Sequence, residues 1–213
     1  MNVATSSKDK LGSLRAALCD RFGAQAVVKF AAPLTATEAP VFPRGEVTEL
    51  VAEGPGSGIA LVVADLLRRG EEVGISPEVP LALIDGTDSF DPESYGAASC
   101  DRVLWVRCRE VGETLRAADL LLRDGNLPLV VLDIAGNDRE ALRGVAASSW
   151  HRLRILAQTS GVALVVLSSE AVVAGARQRR VLPDCFTLED LDRFPGELHA
   201  QVRVGERGKE VAR

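Results

Sequence analysis

Residues 45–61, GEVTELVAEGPGSGIAL, decide the fold class of this 213-residue chain. The stretch opens with an alternating strand pattern at Val47, Glu49 and Val51, and it closes with the apolar start of a helix at Ile59. Glycines fill the loop between them. A strand, a glycine-rich loop and a helix in this order place backbone N–H groups at a helix N-terminus, where they can face an anion. The stretch therefore predicts an α/β fold with a loop of the phosphate-binding kind.

The side chains that make such a loop work are missing. A phosphate loop needs a lysine for the β- and γ-phosphates and a serine or threonine for Mg²⁺. Ile59 stands at the lysine position and Ala60 at the hydroxyl position. Glu53 replaces the first glycine, where its carboxylate would repel phosphate or itself satisfy the positive helix end. The degenerate loop comprises Glu53, Gly54, Gly56, Gly58, Ile59 and Ala60.

The lost lysine alone has a large effect on nucleotide binding. Two unit charges about 4 Å apart are worth up to about 4 kcal/mol at an effective dielectric constant of about 20. That energy corresponds to a loss of roughly a thousandfold in affinity. The sequence therefore predicts a protein that binds no nucleotide cofactor and is not an enzyme.

Composition favours a soluble, cytoplasmic protein. Hydrophobic residues make up 46% of the chain, yet no apolar run approaches the length of a membrane span, and the start MNVATSSKDK lacks a hydrophobic signal region. The net charge of −5 argues against wrapping nucleic acid with the whole surface. The spacing of Cys19, Cys100, Cys108 and Cys185 matches neither a zinc ribbon nor a redox pair, so we predict reduced cysteines and no metal site.

Strand and helix patterns alternate along the chain. Continuous apolar runs such as PLVVLD and VALVVLS are typical of strands buried on both faces of a mostly parallel sheet flanked by helices. Strands are predicted at residues 46–52, 80–85, 102–107, 128–133 and 162–168. Helical spacing is found at residues 59–69, 110–124 and 139–160, with Gly125 as a stop for the second.

The two ends of the chain stand outside this alternation. Residues 1–44 are interpreted as an arm, with an amphipathic helix, a short strand at 26–30 and a proline-containing linker. Residues 45–213 are the predicted core domain, which closes with an edge strand at 198–204 and a frayed tail. The apolar residues that the arm offers to a partner are Leu11, Leu14, Leu18, Phe22, Val27, Val28 and Phe30.

Five segments of the chain resemble RecA, in the same order and with similar spacing. They are RFGAQAVVKF, PRGEVTELV, LALIDGTDSFDPESYG, ETLRAADLLLRDGNLPLVVLDIAG and WHRLRILAQTSGVALVVLSS. The first is similar to the RecA N-terminal helix and strand, and the others to its ATPase core. The resemblance implies a RecA-like P-loop core and a small N-terminal helix-strand arm.

The resemblance also locates the catalytic positions, and most are altered. Asp133 keeps the Walker B position, which would hold Mg²⁺ through water, and we interpret it as a remnant that caps its strand and bonds the degenerate loop. The glutamate that activates water is replaced by Thr87, with Asp88 adjacent as a substitute. The phosphate-sensing glutamine is replaced by Ser169, with Glu170 next to it. Losing all of these contributors predicts an inactive ATPase.

Within the RecA relatives, the chain is most similar to the ImuA group, also called SulA-like. This resemblance rests on Phe42–Gly45 followed by VTEL at 47–50, together with the degenerate loop. The resemblance implies an accessory factor in bacterial SOS mutagenesis and translesion synthesis. Its implied partners are RecA, ImuB and the error-prone C-family polymerase, with self-association as a further mode. In RecA the arm packs on a neighbouring protomer, so here it docks either on a partner or on its own core.

Two alternative functions and one nucleic-acid site stay open at this point. The alternatives are a SulA-type cell-division inhibitor that binds the tubulin-like division protein, and a residual RecA-type ATPase. The RecA DNA-binding loops correspond to residues 136–144 and 170–183. The second holds Arg177, Arg179 and Arg180, which are candidates for weak contact with single-stranded DNA.

Overall fold

The computed structural model describes residues 42–68, 80–192, 198, 200 and 202–204. Within these residues the chain forms one seven-stranded sheet in the order β3-β2-β4-β5-β1-β6-β7. The strands are β1 (Val47–Ala52), β2 (Leu81–Asp85), β3 (Val103–Arg107), β4 (Leu129–Asp133), β5 (Ala163–Ser168), β6 (Gln178–Leu182) and β7 (Arg203–Val204). Strands β1 to β6 are parallel, and β7 is antiparallel to β6.

Helices cover both faces of the sheet, so the predicted α/β class is confirmed and is consistent with a RecA-like core. The α-helices are α1 (Ile59–Arg68), α2 (Ala97–Cys100), α3 (Val111–Asp124), α4 (Arg139–Arg143) and α5 (Ala147–Ser160). Short 3₁₀ turns lie at Pro55–Ser57, Pro92–Ser94 and Leu188–Asp192. All five strands predicted from the apolar runs are present, and α3 ends at Gly125 in a left-handed conformation as expected.

Alternate residues of the central strands bury into two separate apolar clusters. Ile84 and Leu132 face the cluster that includes α3 and α5, while Leu83 and Val131 face the cluster that includes α1. This is the two-sided burial that makes a parallel strand read as a continuous apolar run. The glycine loop between β1 and α1 is thereby held at the carboxyl edge of a rigid sheet.

Two predictions about secondary structure were wrong. The helical region at 139–160 is split into α4 and α5, because Gly144 ends α4 and Ala146 is extended before α5 begins. Residues 170–183 were expected to form a loop, but Gln178–Leu182 form β6 beside β1. The predicted edge strand near the C-terminus is described only as Arg203–Val204, paired with β6.

Residues 1–41 of the predicted arm and linker lie outside the described residues, and so do the partner-binding candidates. These are Leu11, Leu14, Leu18, Phe22, Val27, Val28 and Phe30. In the part of the chain that the structure describes, no helix combines the length and the apolarity needed to cross a membrane.

Candidate functional site

A cavity of about 430 Å³ opens at the carboxyl ends of β1, β2, β4 and β5. In open α/β sheets this edge is where ligands bind. The cavity brings together several positions that the sequence singled out, including Glu53, Ile59, Thr87, Asp133 and Ser169. Its other lining residues are Ala52, Gly54, Pro55, Ser57, Ser89, Ala135, Gly136 and Arg139.

The glycine loop beside this cavity is bound by the protein's own chain. The backbone N–H of Gly56 donates a hydrogen bond of 2.7 Å to Oδ1 of Asp184. The carbonyl of Gly56 accepts hydrogen bonds from the backbone N–H groups of Cys185, at 3.1 Å, and Phe186, at 2.9 Å. The Asp184 carboxylate thus accepts a hydrogen bond from a backbone N–H group of the kind that binds phosphate in a functional phosphate loop.

The glycines are explained by this internal contact. A Cβ atom at Gly56 would lie 2.5 Å from Oδ1 of Asp184, closer than van der Waals contact permits. A Cβ atom at Gly58 would lie 2.5 Å from the ring of Phe186, and the backbone of Gly58 is left-handed with φ of 65°. The loop therefore needs glycine in order to admit Asp184 and Phe186, and no bound anion is required to account for it.

The position of β6 brings these residues to the loop. Strand β6 runs parallel to β1, with Ala52 in register with Leu182, so both strands end at the same edge. The N–H of Glu53 donates to the carbonyl of Leu182 at 3.0 Å and extends the pairing into the loop. The chain that leaves β6 consequently emerges against the chain that leaves β1.

The replaced positions of the loop behave as ordinary packing or surface residues. Ile59 packs partly buried against the apolar cluster on the α1 face of the sheet. Ala60 is exposed, and its carbonyl lies 3.4 Å from the hydroxyl of Tyr95. The carboxylate bound to the loop belongs to Asp184, whereas the side chain of Glu53, which was considered for the positive helix end, is exposed at the cavity.

Asp133 caps the end of β4, as predicted from the sequence. Its Oδ1 accepts a hydrogen bond of 3.1 Å from the N–H of Ala135. Burial raises the pKa of Asp133 from 3.8 to about 6; the hydrogen bond from Ala135 opposes that rise, and the neighbouring Asp85 carboxylate adds to it. The expected bond from Asp133 to the glycine loop is not formed, since the described contact is with its own turn.

Asp85, at the end of β2, organises the loop that follows it. Its carboxylate accepts backbone hydrogen bonds from Thr87, Ser89 and Phe90, and one from the indole of Trp105 at 3.3 Å. A buried carboxylate with this many donors is satisfied in place. Asp85 therefore fixes the wall of the cavity and does not face a ligand.

Asp88, the residue next to Thr87, is not among the residues that line the cavity. The Arg107 guanidinium donates to both Asp88 carboxylate oxygens, and these hydrogen bonds hold the pKa of Asp88 below its ordinary range. Both side chains of this pair are well exposed. The cavity wall is formed by the neighbours Thr87 and Ser89, so the expected place of Asp88 in this site was wrong.

Ser169 and Glu170 are neighbours in sequence, but only Ser169 is among the residues that line the cavity. Ser169 lines the cavity, but Glu170 pairs with Arg143 at 2.7 Å. Arg139 at the start of α4 is the basic residue that lines the cavity. The cavity wall thus carries hydroxyls, two carboxylates and one guanidinium, with no lysine at the loop.

Of the three candidate DNA-binding arginines, Arg179 and Arg180 lie on β6, and Arg177 lies in the bend just before it. Arg179 lies on β6 and donates to the buried Glu49 at 2.6 Å across the β1–β6 pair. Arg177 lies 3.6 Å from Glu46, and Arg180 lies over the ring of Phe42, 5.6 Å from its centroid. Each of the three arginines contacts another residue of the described chain, and the Arg177 side chain stays 72% exposed.

Sequence reasoning missed Asp184, Phe186 and the buried role of Glu49. Glu49 accepts from the N–H groups of Val172, at 2.7 Å, and Val173, at 2.9 Å, as well as from Arg179. The only local signal was an acidic residue inside an apolar strand. In the described part of the chain, no group of three or more metal-ligating side chains is placed to hold a metal ion.

No protein-family model matches this sequence, and a search of curated proteins finds no significant match.

Proposed function

We propose that this chain is a catalytically inactive RecA homologue of the ImuA group, which acts in the bacterial cytoplasm by binding proteins. In this proposal it serves SOS mutagenesis and translesion synthesis by docking RecA and the assembly of ImuB with the error-prone C-family polymerase. The observation that carries the loss of catalysis is the hydrogen bond from Gly56 to Asp184. The loop has its own carboxylate in place and lacks the lysine, so the charge available to a nucleotide is the Arg139 guanidinium on the cavity wall.

An open sheet edge supports the binding part of the proposal. Within the described residues β3 pairs with β2 on one side only. Leu104, Trp105 and Val106 on this strand are half-buried. An edge strand presents backbone N–H and C=O groups that a strand from another protein can extend.

Aromatic side chains make this edge a well-formed surface. Trp105 packs edge-to-face against Phe90, with ring centroids 5.4 Å apart, and the Arg107 guanidinium lies 4.9 Å from the Trp105 ring. Aromatic and arginine side chains are enriched at the energetic centres of protein interfaces. A suitable strand to extend this edge is the one predicted at residues 26–30 of a second copy, or the equivalent arm strand of RecA.

The direct experiment is a binding assay with purified RecA, ImuB, the C-family polymerase and the division protein. We expect the full chain to retain RecA and the ImuB assembly and to leave the division protein in the flow-through. Binding to the division protein alone would move the function to the SulA type. Binding to none of them would contradict the adaptor role.

Truncation tests the part of the chain that docks. Deleting residues 1–30 is expected to leave a folded core, checked by circular dichroism, and to abolish retention of RecA. Leu18→Glu on the apolar side of the predicted arm helix should reproduce the loss, whereas Ser13→Glu should not. A truncated protein that unfolds places the arm on its own core and contradicts docking by the arm.

A further inference from the structure

A second groove lies between α3 and α5, away from the cavity at the carboxyl edge. It has a volume of about 410 Å³, and its apolar lining consists of Leu115, Leu120 and Leu153. Gly112 and Ser149 widen it, because neither carries a bulky side chain. The groove is thus a shallow slot between two helices, with room for a few apolar atoms of another chain.

The rim of this groove carries excess positive charge. Asp119 pairs with both Arg123, at 2.8 Å, and Arg152, at 2.7 Å, so two guanidinium groups share one carboxylate. Arg116 adds a third charge, whose side chain is 69% exposed and lies 3.6 Å from Glu110. An occupant with an apolar anchor and acidic neighbours would fit this rim.

The same chain presents a segment of that kind. Leu188 is 83% exposed and begins the 3₁₀ turn Leu188–Asp192, whose sequence is LEDLD. Glu189 beside it is exposed. The turn is held at its start, because Oδ2 of Asp190 accepts hydrogen bonds from the N–H and the hydroxyl of Thr187. An exposed leucine on an ordered acidic turn is an anchor with little conformational entropy left to lose.

We propose that the Leu188–Asp192 turn of one copy docks in the α3–α5 groove of a second copy. Leu188 enters the groove beside Leu115, and Glu189 faces Arg116 and Arg152. The two surfaces differ, so the contact is heterologous and joins molecules head to tail. This self-association goes beyond the adaptor function and needs neither RecA nor ImuB.

The test is sedimentation velocity of the full chain at low ionic strength, over the micromolar concentration range. Wild type is expected to associate reversibly, and raising the salt should weaken the association because the rim charges are exposed. Leu188→Glu and the double variant Arg116→Glu, Arg152→Gln should each weaken it by about tenfold or more. Arg177→Glu is the matched control, since Arg177 is 72% exposed and also lies 3.6 Å from a glutamate.

Mixing the two defective variants separates a head-to-tail contact from a symmetric one. The Leu188→Glu protein keeps an intact groove, and the double variant keeps an intact turn. Together they should form a 1:1 dimer that grows no further. A mixture that stays monomeric, association unaffected by either variant, or a monomeric wild type would each overturn the proposal, whatever the binding assays with RecA and ImuB show. Thermal melts of each variant confirm that it is folded before it is compared.

Discussion

The carboxylate of Asp184 accepts a 2.7 Å hydrogen bond from the backbone N–H of Gly56, although the two residues are 128 positions apart in sequence. The contact fixes a glycine loop that would otherwise present an open N–H group at the start of α1. The loop keeps the glycines typical of a phosphate site, but the group bound to its Gly56 N–H is the Asp184 carboxylate of the same chain.

Removing this carboxylate should loosen the loop. We expect Asp184→Ala to lower the free energy of unfolding by about 1–2 kcal/mol, because a charge-assisted hydrogen bond is lost. The amide of Gly56 should exchange its hydrogen faster, as followed by hydrogen-exchange NMR. Glu189→Ala is the control on an exposed acidic residue nearby, and its effect should be small. Unchanged protection at Gly56 would contradict the contact.

Two glutamate–arginine pairs, one between β1 and β6 and one just before these strands, should contribute very different amounts to the free energy of unfolding. The Glu49 side chain is fully buried and holds Arg179 and two backbone N–H groups. Glu49→Ala should therefore destabilise by about 3 kcal/mol or more, since buried donors lose their acceptor. Glu46→Ala removes the partly buried partner of the exposed Arg177 and should change stability by less than about 1 kcal/mol. Urea unfolding of both variants measures the difference, and equal effects would be the contrary result.

Asp133 should make stability depend on pH in an unusual direction. Its pKa is raised to about 6 in the folded protein from 3.8, so the folded state holds a proton that the unfolded state releases between these values. Its contribution to stability is therefore full below about pH 4 and is lost as the pH rises to about 6. Asp133→Asn should be more stable than wild type at pH 7, by up to about 3 kcal/mol. Denaturation at pH 4.5 and 7 measures this, and a variant less stable at pH 7 would refute it.

Asp85 should control the environment of Trp105. Asp85→Ala removes the acceptor for the indole N–H and for three backbone N–H groups of the following loop. We expect a loss of about 2–4 kcal/mol and a shift in tryptophan fluorescence. Asp91→Ala, in the same loop, removes an exposed turn cap and serves as the comparison. Fluorescence identical to wild type would show that the indole does not depend on Asp85.

The sheet could be predicted from sequence because its strands are apolar runs bounded by turn residues. In runs such as Leu129–Asp133 and Ala163–Ser168 nearly every residue is apolar, so the sequence itself shows that the strand is buried. Strand β6 could not be found this way, because two of the five residues in its sequence QRRVL are arginines. Its arginine charge is accommodated by Glu49, 130 positions earlier on β1, and such a partner leaves no local pattern.

The candidate site was predicted in outline but not in its decisive contact. The glycines and the loss of the lysine at Ile59 are visible in one short stretch, and they correctly placed the loop between β1 and α1. The bond from Gly56 to Asp184 depends on where β6 ends relative to β1, which is a property of the sheet order. The sequence of the loop itself gives no sign of a carboxylate that comes from the segment after β6.

Calorimetric titration of the full chain with ATP and Mg²⁺ measures whether the glycine loop can bind a nucleotide. With Asp184 on Gly56, Ile59 at the lysine position and no cation at the loop, we predict no binding with a Kd below about 10 μM and no release of phosphate over hours. Affinity tighter than that would require about 7 kcal/mol from a loop without its lysine, beside a cavity wall whose basic residue is Arg139. Saturable heat with a Kd below about 10 μM would contradict the account of a loop filled by its own chain.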